Sequence, residues 1–371
     1  MQNVLTLRSF AVIGCAHNKT GTGTMKKNHR RGSAPAKLLA AACALASVAA
    51  DSAQAQSNEV NLYTYRETEL IQPLLQAFTQ DTGIKVNVIS ANSGLEQRIK
   101  AEGANSPADV LLSVDIGRLE DAVKADITQP FTSPTLAKAV APQYRDPEGH
   151  WYGISLRARV VYASKDRVKQ NAITYEELAD PKWKGKICIR SGQHIYNNAL
   201  FAAYIAKHGE AKAEAWLRGV KANLAQKPSG GDRETARDVA AGKCDIGIGN
   251  TYYWALMNDK EADKKAWADA TRVILPTFAN GGTHVNLSGV VLTKHAPNRA
   301  NAIKLMEWLV SEKAQHMYAD VNYEYPVLAG VRLNPTIAAY GNLKPDSMSV
   351  SEIADRKKAA ATLVDKVGFD N

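Results

Sequence analysis

Tyr252 and Tyr253 stand side by side in Gly249-Asn250-Thr251-Tyr252-Tyr253-Trp254, directly after the apolar run at residues 246–248. A third phenol, Tyr196, follows the apolar run at 187–190 in Ser191-Gly192-Gln193-His194-Ile195-Tyr196. If both runs are strands, all three side chains lie just past strand carboxyl ends, where open α/β sheets bind their ligands. Phenols in such a place can form a stacking and hydrogen-bonding wall, the commoner use of a tyrosine pair, or they can ionise and hold a hard cation. A phenol's ordinary pKa is about 10, so ionisation near neutrality needs a strong positive charge close by. Three phenolates balance a trivalent ion such as Fe3+, whereas zinc or calcium would be left with surplus negative charge. Other ligand sets are missing: the sequence has no CxxC pair, no HExxH and no EF-hand loop.

Several other residues of chemical interest read as ordinary. His150, His194 and His284 are scattered without a partner at ligand spacing, which predicts surface positions or hydrogen-bonded core positions. Asp115 follows an apolar run and reads as a helix N-cap. Gly230-Gly231-Asp232 is a turn before a helix, since it lacks the Lys-Ser/Thr of a phosphate loop. An enzyme would need a nucleophile and a base, and neither a Gly-x-Ser-x-Gly elbow nor a Cys-His pair stands out. Binding without turnover is therefore expected.

The formal charge of +9 suggests a polyanion partner until it is divided along the 371 residues. Residues 1–55 hold seven Lys/Arg and one Asp, which leaves 39 Lys/Arg against 36 Asp/Glu, a net +3, for the rest. The near balance removes the main support for a polyanion-binding reading, and no nucleic-acid partner is expected. The basic excess belongs to a stretch that reads as a secretory leader. Met25, Lys26, Lys27, Arg30 and Arg31 make a positive start, residues 38–50 are apolar, and Ala53-Gln54-Ala55 is a small-x-small cleavage pattern. The mature chain is expected to begin at Gln56 and translation at Met25; acylation of Cys43 is the alternative. Beyond residue 60 no run approaches the roughly 18 apolar residues of a membrane span. Removal of the leader takes Cys15 and Cys43 and leaves Cys188 and Cys244, an even pair for an oxidising compartment: a disulfide or two buried thiols.

The elements that must position the phenols follow from periodicity. Strands at 60–65, 84–89 and 108–112 alternate with helices at 70–81 and 95–101, the βαβαβ pattern of a mostly parallel, doubly wound sheet. The pattern restarts with strands at 159–162, 187–190 and 244–248 and helices at 198–207, 211–220 and 234–241. A strand at 285–292 and helices at 301–309 and 312–319 return to the first unit. The fold class is thus α/β, with two lobes joined by strand crossings. Residues 56–157 and 286–371 form the first lobe and 158–285 the second, and a hinge leaves an interlobe cleft as the natural site.

The segments Asn250-Thr251-Tyr252-Tyr253-Trp254, Asp180-Pro181-Lys182-Trp183-Lys184-Gly185-Lys186-Ile187-Cys188-Ile189-Arg190 with Tyr196 after it, and Leu156-Arg157-Ala158-Arg159-Val160-Val161-Tyr162 carry a resemblance. Across essentially the mature chain, the sequence resembles the bacterial ferric-binding proteins of iron ABC importers. Their fold is the type II periplasmic-binding-protein clamshell and their iron site is transferrin-like. The resemblance implies that Tyr196, Tyr252 and Tyr253 are iron ligands. Some relatives add a His and a Tyr after the first strand, where this chain has Glu67 and Thr68 in Tyr65-Arg66-Glu67-Thr68. Glu67 is then a candidate oxygen ligand, or a solvated carboxylate at a helix start. Other relatives complete the site with carbonate or a similar small anion held by an arginine, which implies Arg157, with Arg66 second. The implied protein is a periplasmic monomer that captures Fe3+ and delivers it to an inner-membrane ABC permease. An importer receptor for an organic cation or a small oxyanion, with the tyrosines as an aromatic cage, is the alternative.

Overall fold

The computed structural model describes residues 58–371, so the leader and its cleavage pattern lie outside the described residues. The chain opens with β1 (Glu59–Thr64), α1 (Thr68–Thr82), β2 (Lys85–Ser90), α2 (Leu95–Glu102), β3 (Val110–Ser113) and α3 (Ile116–Lys124). β1 lies between β2 and β3 and runs parallel to both, as the βαβαβ pattern requires. Leu70, Ile71, Leu74, Leu75 and Phe78 fall on one face of α1, and burying that stripe is what makes the segment helical.

After α4 (Pro134–Ala139) comes β4 (Trp151–Ser164), 14 residues long and buried throughout. The second stretch contains β5 (Ile187–Cys188), α5 (Ile195–His208), α6 (Glu210–Ala222), α7 (Asp232–Ala240), β6 (Ile246–Asn250), α8 (Thr251–Asp259), α9 (Lys265–Asp269) and β7 (Thr271–Ile274). The chain then returns through β8 (Val285–Leu292), α10 (Arg299–Leu309), α11 (Glu312–Asp320), β9 (Tyr325–Pro326), α12 (Pro335–Ala338) and α13 (Val350–Val367). Strand order is β2-β1-β3-β8-β4-β6-β5, with β7 and β9 also on β4. β4 joins two sub-sheets. Residues 151–158 pair with β8, whereas residues 159–163 pair with β6 and 161–164 with β7, all antiparallel.

The architecture is the expected α/β type, with differences in its elements. The strand expected at 159–162 lies toward the carboxyl end of a much longer one. Full burial removes alternation, and Arg157 and Arg159 interrupt the apolar run that would otherwise have marked its length. The strand expected at 187–190 ends at Cys188, and that expected at 244–248 begins at Ile246, because Asp245 and Ile246 both donate their N–H to the Lys186 carbonyl as the chain enters the sheet. α13 was not expected. It packs along α5 and against α3 and α6, with Val350, Ile353, Ala360, Leu363, Val364 and Val367 buried. Its stripe is diluted by the charged run from 355 to 358, although Ser349 and Glu352 form a capping box at its start. No helix among the described residues is long and apolar enough to cross a membrane.

β5 and β6 run parallel, with Ile187 opposite Ile246 and Cys188 opposite Gly247. Cys188 and Cys244 are bonded, their Cα atoms 5.8 Å apart. The bond therefore staples the two strands whose exits carry the tyrosines. It spans 56 residues of sequence, for which the loss of unfolded-chain freedom contributes about 4 kcal/mol. Replacing both cysteines by serine is expected to lower the unfolding free energy by about that amount, read from guanidinium denaturation. An unchanged midpoint would show the staple to be energetically idle.

Candidate metal centre

Two helix starts converge on one point. Tyr196 is the second residue of α5, and Tyr252 and Tyr253 follow the first residue of α8. The Tyr196 and Tyr252 hydroxyl oxygens are 3.5 Å apart. The rings of Tyr252 and Tyr253 lie 4.1 Å apart between centroids, and their interplanar angle is 34°. Tyr252 and Tyr253 are buried, at 2% and 7% exposure, whereas Tyr196 is half-buried. Each helix start carries partial positive charge, which favours negative charge on these phenols.

Burial pushes the Tyr252 phenol well above its ordinary value; Tyr196 and Tyr253 push the same way, and Arg157 and Arg66 pull it down. Tyr253 is raised chiefly by burial, then by Tyr196, Asp232 and Glu67. Both phenols are therefore protonated unless a cation joins them. The arginines that oppose this stand close. The Arg157 guanidinium carbon is 5.6 Å from the Tyr196 ring centre, Arg190 is at the same distance, and Arg66 is 5.9 Å from the Tyr252 ring.

Arg157 is buried and donates to the Ser288 hydroxyl at 2.7 Å and to the Val114 carbonyl, and its Nε has no partner. Among the described residues no carboxylate lies within ion-pair distance of it. Arg66 is also buried, but Glu324 neutralises it, and Glu324 accepts from the Ser155 hydroxyl as well. Glu67 occupies the N-cap of α1 without making a capping bond. Its exposed carboxylate instead accepts a hydrogen bond from the Tyr253 hydroxyl at 3.4 Å. The candidate residues Tyr196, Tyr252, Tyr253, Glu67, Arg66 and Arg157 are thus gathered around one locus, with Glu67 and Arg66 reaching it from the β1 side. No group of three or more His, Cys, Asp or Glu able to hold a metal exists among the described residues.

The bacterial extracellular solute-binding protein family matches residues 105–344. Iron uptake protein A1 of Synechocystis is 43% identical over 317 residues, which span 85% of this chain and 88% of that protein. The solved ferric binding protein of Bordetella has a TM-score of 0.79 and 57% identity, over 84% of this chain and 100% of that chain. The apo ferric ion-binding protein A of Pasteurella haemolytica has a TM-score of 0.81 and 49% identity, over 85% and 99% of the two chains. The chain belongs to the bacterial extracellular solute-binding protein family.

What positions the tyrosines in this solute-binding protein escaped sequence reasoning. Arg159, 2% exposed, donates to Asn197 Oδ1 at 2.6 and 3.1 Å, to Asn250 Oδ1 at 3.2 Å and to Asp232 at 2.6 Å. Asp232 also accepts from the Asn250 N–H at 2.8 Å and from Arg190 at 3.3 Å. One buried ion pair therefore ties the first turn of α5 to the N-cap of α8. Gly249 permits it: a Cβ there would come within 2.2 Å of the Tyr162 ring, whose hydroxyl donates to the Asn250 carbonyl. The available signal was Arg157 and Arg159 two residues apart in an apolar strand, hence on one face.

Of the histidines, His150 and His194 are hydrogen-bonded as expected and His284 is not. His194 is the N-cap of α5, accepting from the Tyr196 N–H at 3.3 Å. Burial, then Arg190 and Arg159, lower it to about 3, so it is neutral. His284 was expected at the surface or hydrogen-bonded, yet it is buried and its ring nitrogens find no partner among the described residues. Burial lowers it to about 4, which keeps it uncharged and removes the larger cost of a buried cation. Asp115 is the N-cap of α3, as expected.

Although burial opposes it, Arg159 and Arg190 hold the Asp232 carboxyl below its ordinary value. Its contribution to stability is therefore complete at neutral pH and lost as acid drops through that lowered value. Asp232→Ala leaves the buried Arg159 and the half-buried Arg190 short of a partner and is expected to cost about 3–5 kcal/mol of unfolding free energy at pH 7. The loss should shrink as the pH falls below about 4.

Proposed function

We propose that this solute-binding protein captures Fe3+ in the periplasm, through the phenolates of Tyr196, Tyr252 and Tyr253, and delivers it to an inner-membrane ABC permease. The observation that carries the reading is the meeting of two phenol oxygens 3.5 Å apart with a third ring tilted against one of them, with no cluster of three or more His, Cys, Asp or Glu among the described residues. Relatives across most of the chain bear names that state iron uptake or ferric binding. Glu67 is the proposed oxygen ligand from the opposite side. Arg157, whose Nε is unpartnered, is the proposed holder of carbonate or another small anion, with Arg66 as a secondary contact. The leader at residues 1–55 directs export, and the mature chain acts as a monomer.

We further propose a first lobe of residues 56–157 and 286–371 and a second of 158–285, as the partner change of β4 at 158/159 suggests. In the open form the second-lobe phenols meet Fe3+; closure adds Glu67 and the anion. The closed form is favoured because it alone makes those contacts. An organic cation or small oxyanion remains the competing ligand, and the unpaired Arg157 favours the oxyanion.

Ferric titration of the purified protein is expected to produce a visible phenolate-to-iron band. Tyr196→Phe and Tyr252→Phe should each displace the band and weaken binding by more than the roughly 10–100-fold cost of losing an outer hydrogen-bond partner. A colourless ferric-saturated protein would transfer the assignment to the competing ligands.

Each coordinated phenol gives up a proton, and burial keeps Tyr252 and Tyr253 protonated in the iron-free protein. Affinity must therefore fall with acid. Its logarithm should drop by about three for each pH unit between roughly pH 8 and 5, measured by competition against citrate with iron hydrolysis accounted for. A slope near zero would mean that phenolates do not hold the ion.

A further inference from the structure

Tyr252 and Tyr253 are packed into the protein, but Tyr196 is only half-buried, so its place depends on the backbone that carries it. That backbone leaves the sheet after Cys188 and runs through residues 189–194 before α5 begins. On its inner side the Asn197 amide donates to the carbonyls of Arg190 and Ser191, at 2.9 and 3.0 Å.

The outer side is held by α13 and the residues that follow it. The Asp370 carboxylate accepts from the Ser191 hydroxyl at 2.5 Å, the Gly192 N–H at 2.7 Å and the Gln193 N–H at 3.4 Å. The Gln193 amide in turn donates to the Ala361 carbonyl at 3.0 Å and to Asp365 at 2.8 Å. Phe369, fully buried, packs on Phe201 of α5 with ring centroids 5.5 Å apart. A Cβ on Gly192 would come within 2.8 Å of the Phe369 ring and 3.0 Å of Val364, so the loop lies directly against this segment. α13 is itself anchored elsewhere, through Lys357 to Asp115 and Lys124 to Asp355.

We propose that Asp370, seated by Phe369, is a positioning residue for Tyr196: its carboxylate fixes the turn at 191–193 and so aims the phenol at the other two. The proposal rests on the reading of Tyr196 as a ferric ligand. A carboxylate that gathers a hydroxyl and two consecutive backbone N–H groups forms charge-assisted bonds, stronger and more directional than neutral ones. Tyr252 and Tyr253 have packing of their own and do not need such a brace.

The test compares Asp370→Ala and Asp370→Asn with Lys366→Ala, which removes an exposed ion pair to Glu214 from the same helix and spares the loop. Ferric affinity is measured by citrate competition, with the visible band recorded at saturation, and hydrogen exchange of residues 191–196 is followed in iron-free protein. Asp370→Ala should weaken ferric binding by about 10–100-fold, the usual cost of losing a group that orients a ligand. It should also displace the band and speed exchange at 191–196. Asp370→Asn should fall between it and wild type, and Lys366→Ala should leave all three readouts unchanged. Unchanged affinity in both Asp370 variants overturns the proposal, whether or not exchange rises. So does an equal loss in Lys366→Ala, which would make the effect one of general stability. If wild-type protein shows no ferric band, the iron reading fails, and the exchange arm alone decides whether Asp370 orders the loop.

Discussion

The buried pair of Arg159 and Asp232 is the constraint on which the candidate site depends. Neither residue is hydrogen-bonded to Tyr196, Tyr252 or Tyr253, yet between them they fix Asn197 in the first turn of α5 and Asn250 at the N-cap of α8. The separation of the Tyr196 and Tyr252 hydroxyls is inherited from that bridge. A buried ion pair is a poor way to gain stability, since desolvation consumes much of the attraction, but it specifies geometry well when its remaining hydrogen bonds are satisfied. Here Arg159 also reaches the Ile248 carbonyl at 3.3 Å, so the pair registers the helix starts against β6 itself.

The staple between Cys188 and Cys244 acts on the same geometry from below. It holds β5 to β6 where β5 is only two residues long and has few ladder bonds of its own. Burial keeps Tyr252 and Tyr253 neutral, while Arg157 has no carboxylate partner among the described residues and Arg159 and Arg190 share Asp232. A trivalent ion that draws three protons off adds no net charge to this arrangement. On the proposed reading, the Arg157 guanidinium, which has no carboxylate within ion-pair distance among the described residues, is the charge that a small anion would balance.

The sequence made the tyrosines legible because two of them are adjacent and all three follow apolar strands, a placement that a parallel β-α unit converts directly into proximity. The βαβαβ opening was legible for the same reason, since its strands and helices keep their own periods. β4 was not. Its 14 residues are buried on both faces, so no alternation marks them, and its two internal arginines look like interruptions until Asp232, Ser288 and Val114 are seen beside them. Asp232 lies 73 residues from Arg159 in sequence, and nothing local announces their pairing. α13 escaped because its apolar stripe is thinned by charges that make long-range ion pairs with Asp115, Lys124 and Glu214.

Glu67 links the β1 side of the site to the phenols. An acidic residue at a helix start normally spends its carboxylate on the backbone N–H groups there, and Asp115 does so at α3. Glu67 does not, and its carboxylate points instead to Tyr253. The residue before it, Arg66, is bound to Glu324 beside β9, so the turn between β1 and α1 is tied to the strand that pairs with β4. The β1 side therefore offers one free carboxylate and one neutralised arginine toward phenols carried by the β6 side, and both sides hang on the continuous backbone of β4. A change in the angle between the sub-sheets must alter the distance from Glu67 to Tyr253 before it alters anything within the phenol cluster. On the proposed two-lobed reading, this carboxylate is the group that would distinguish a closed site from an open one.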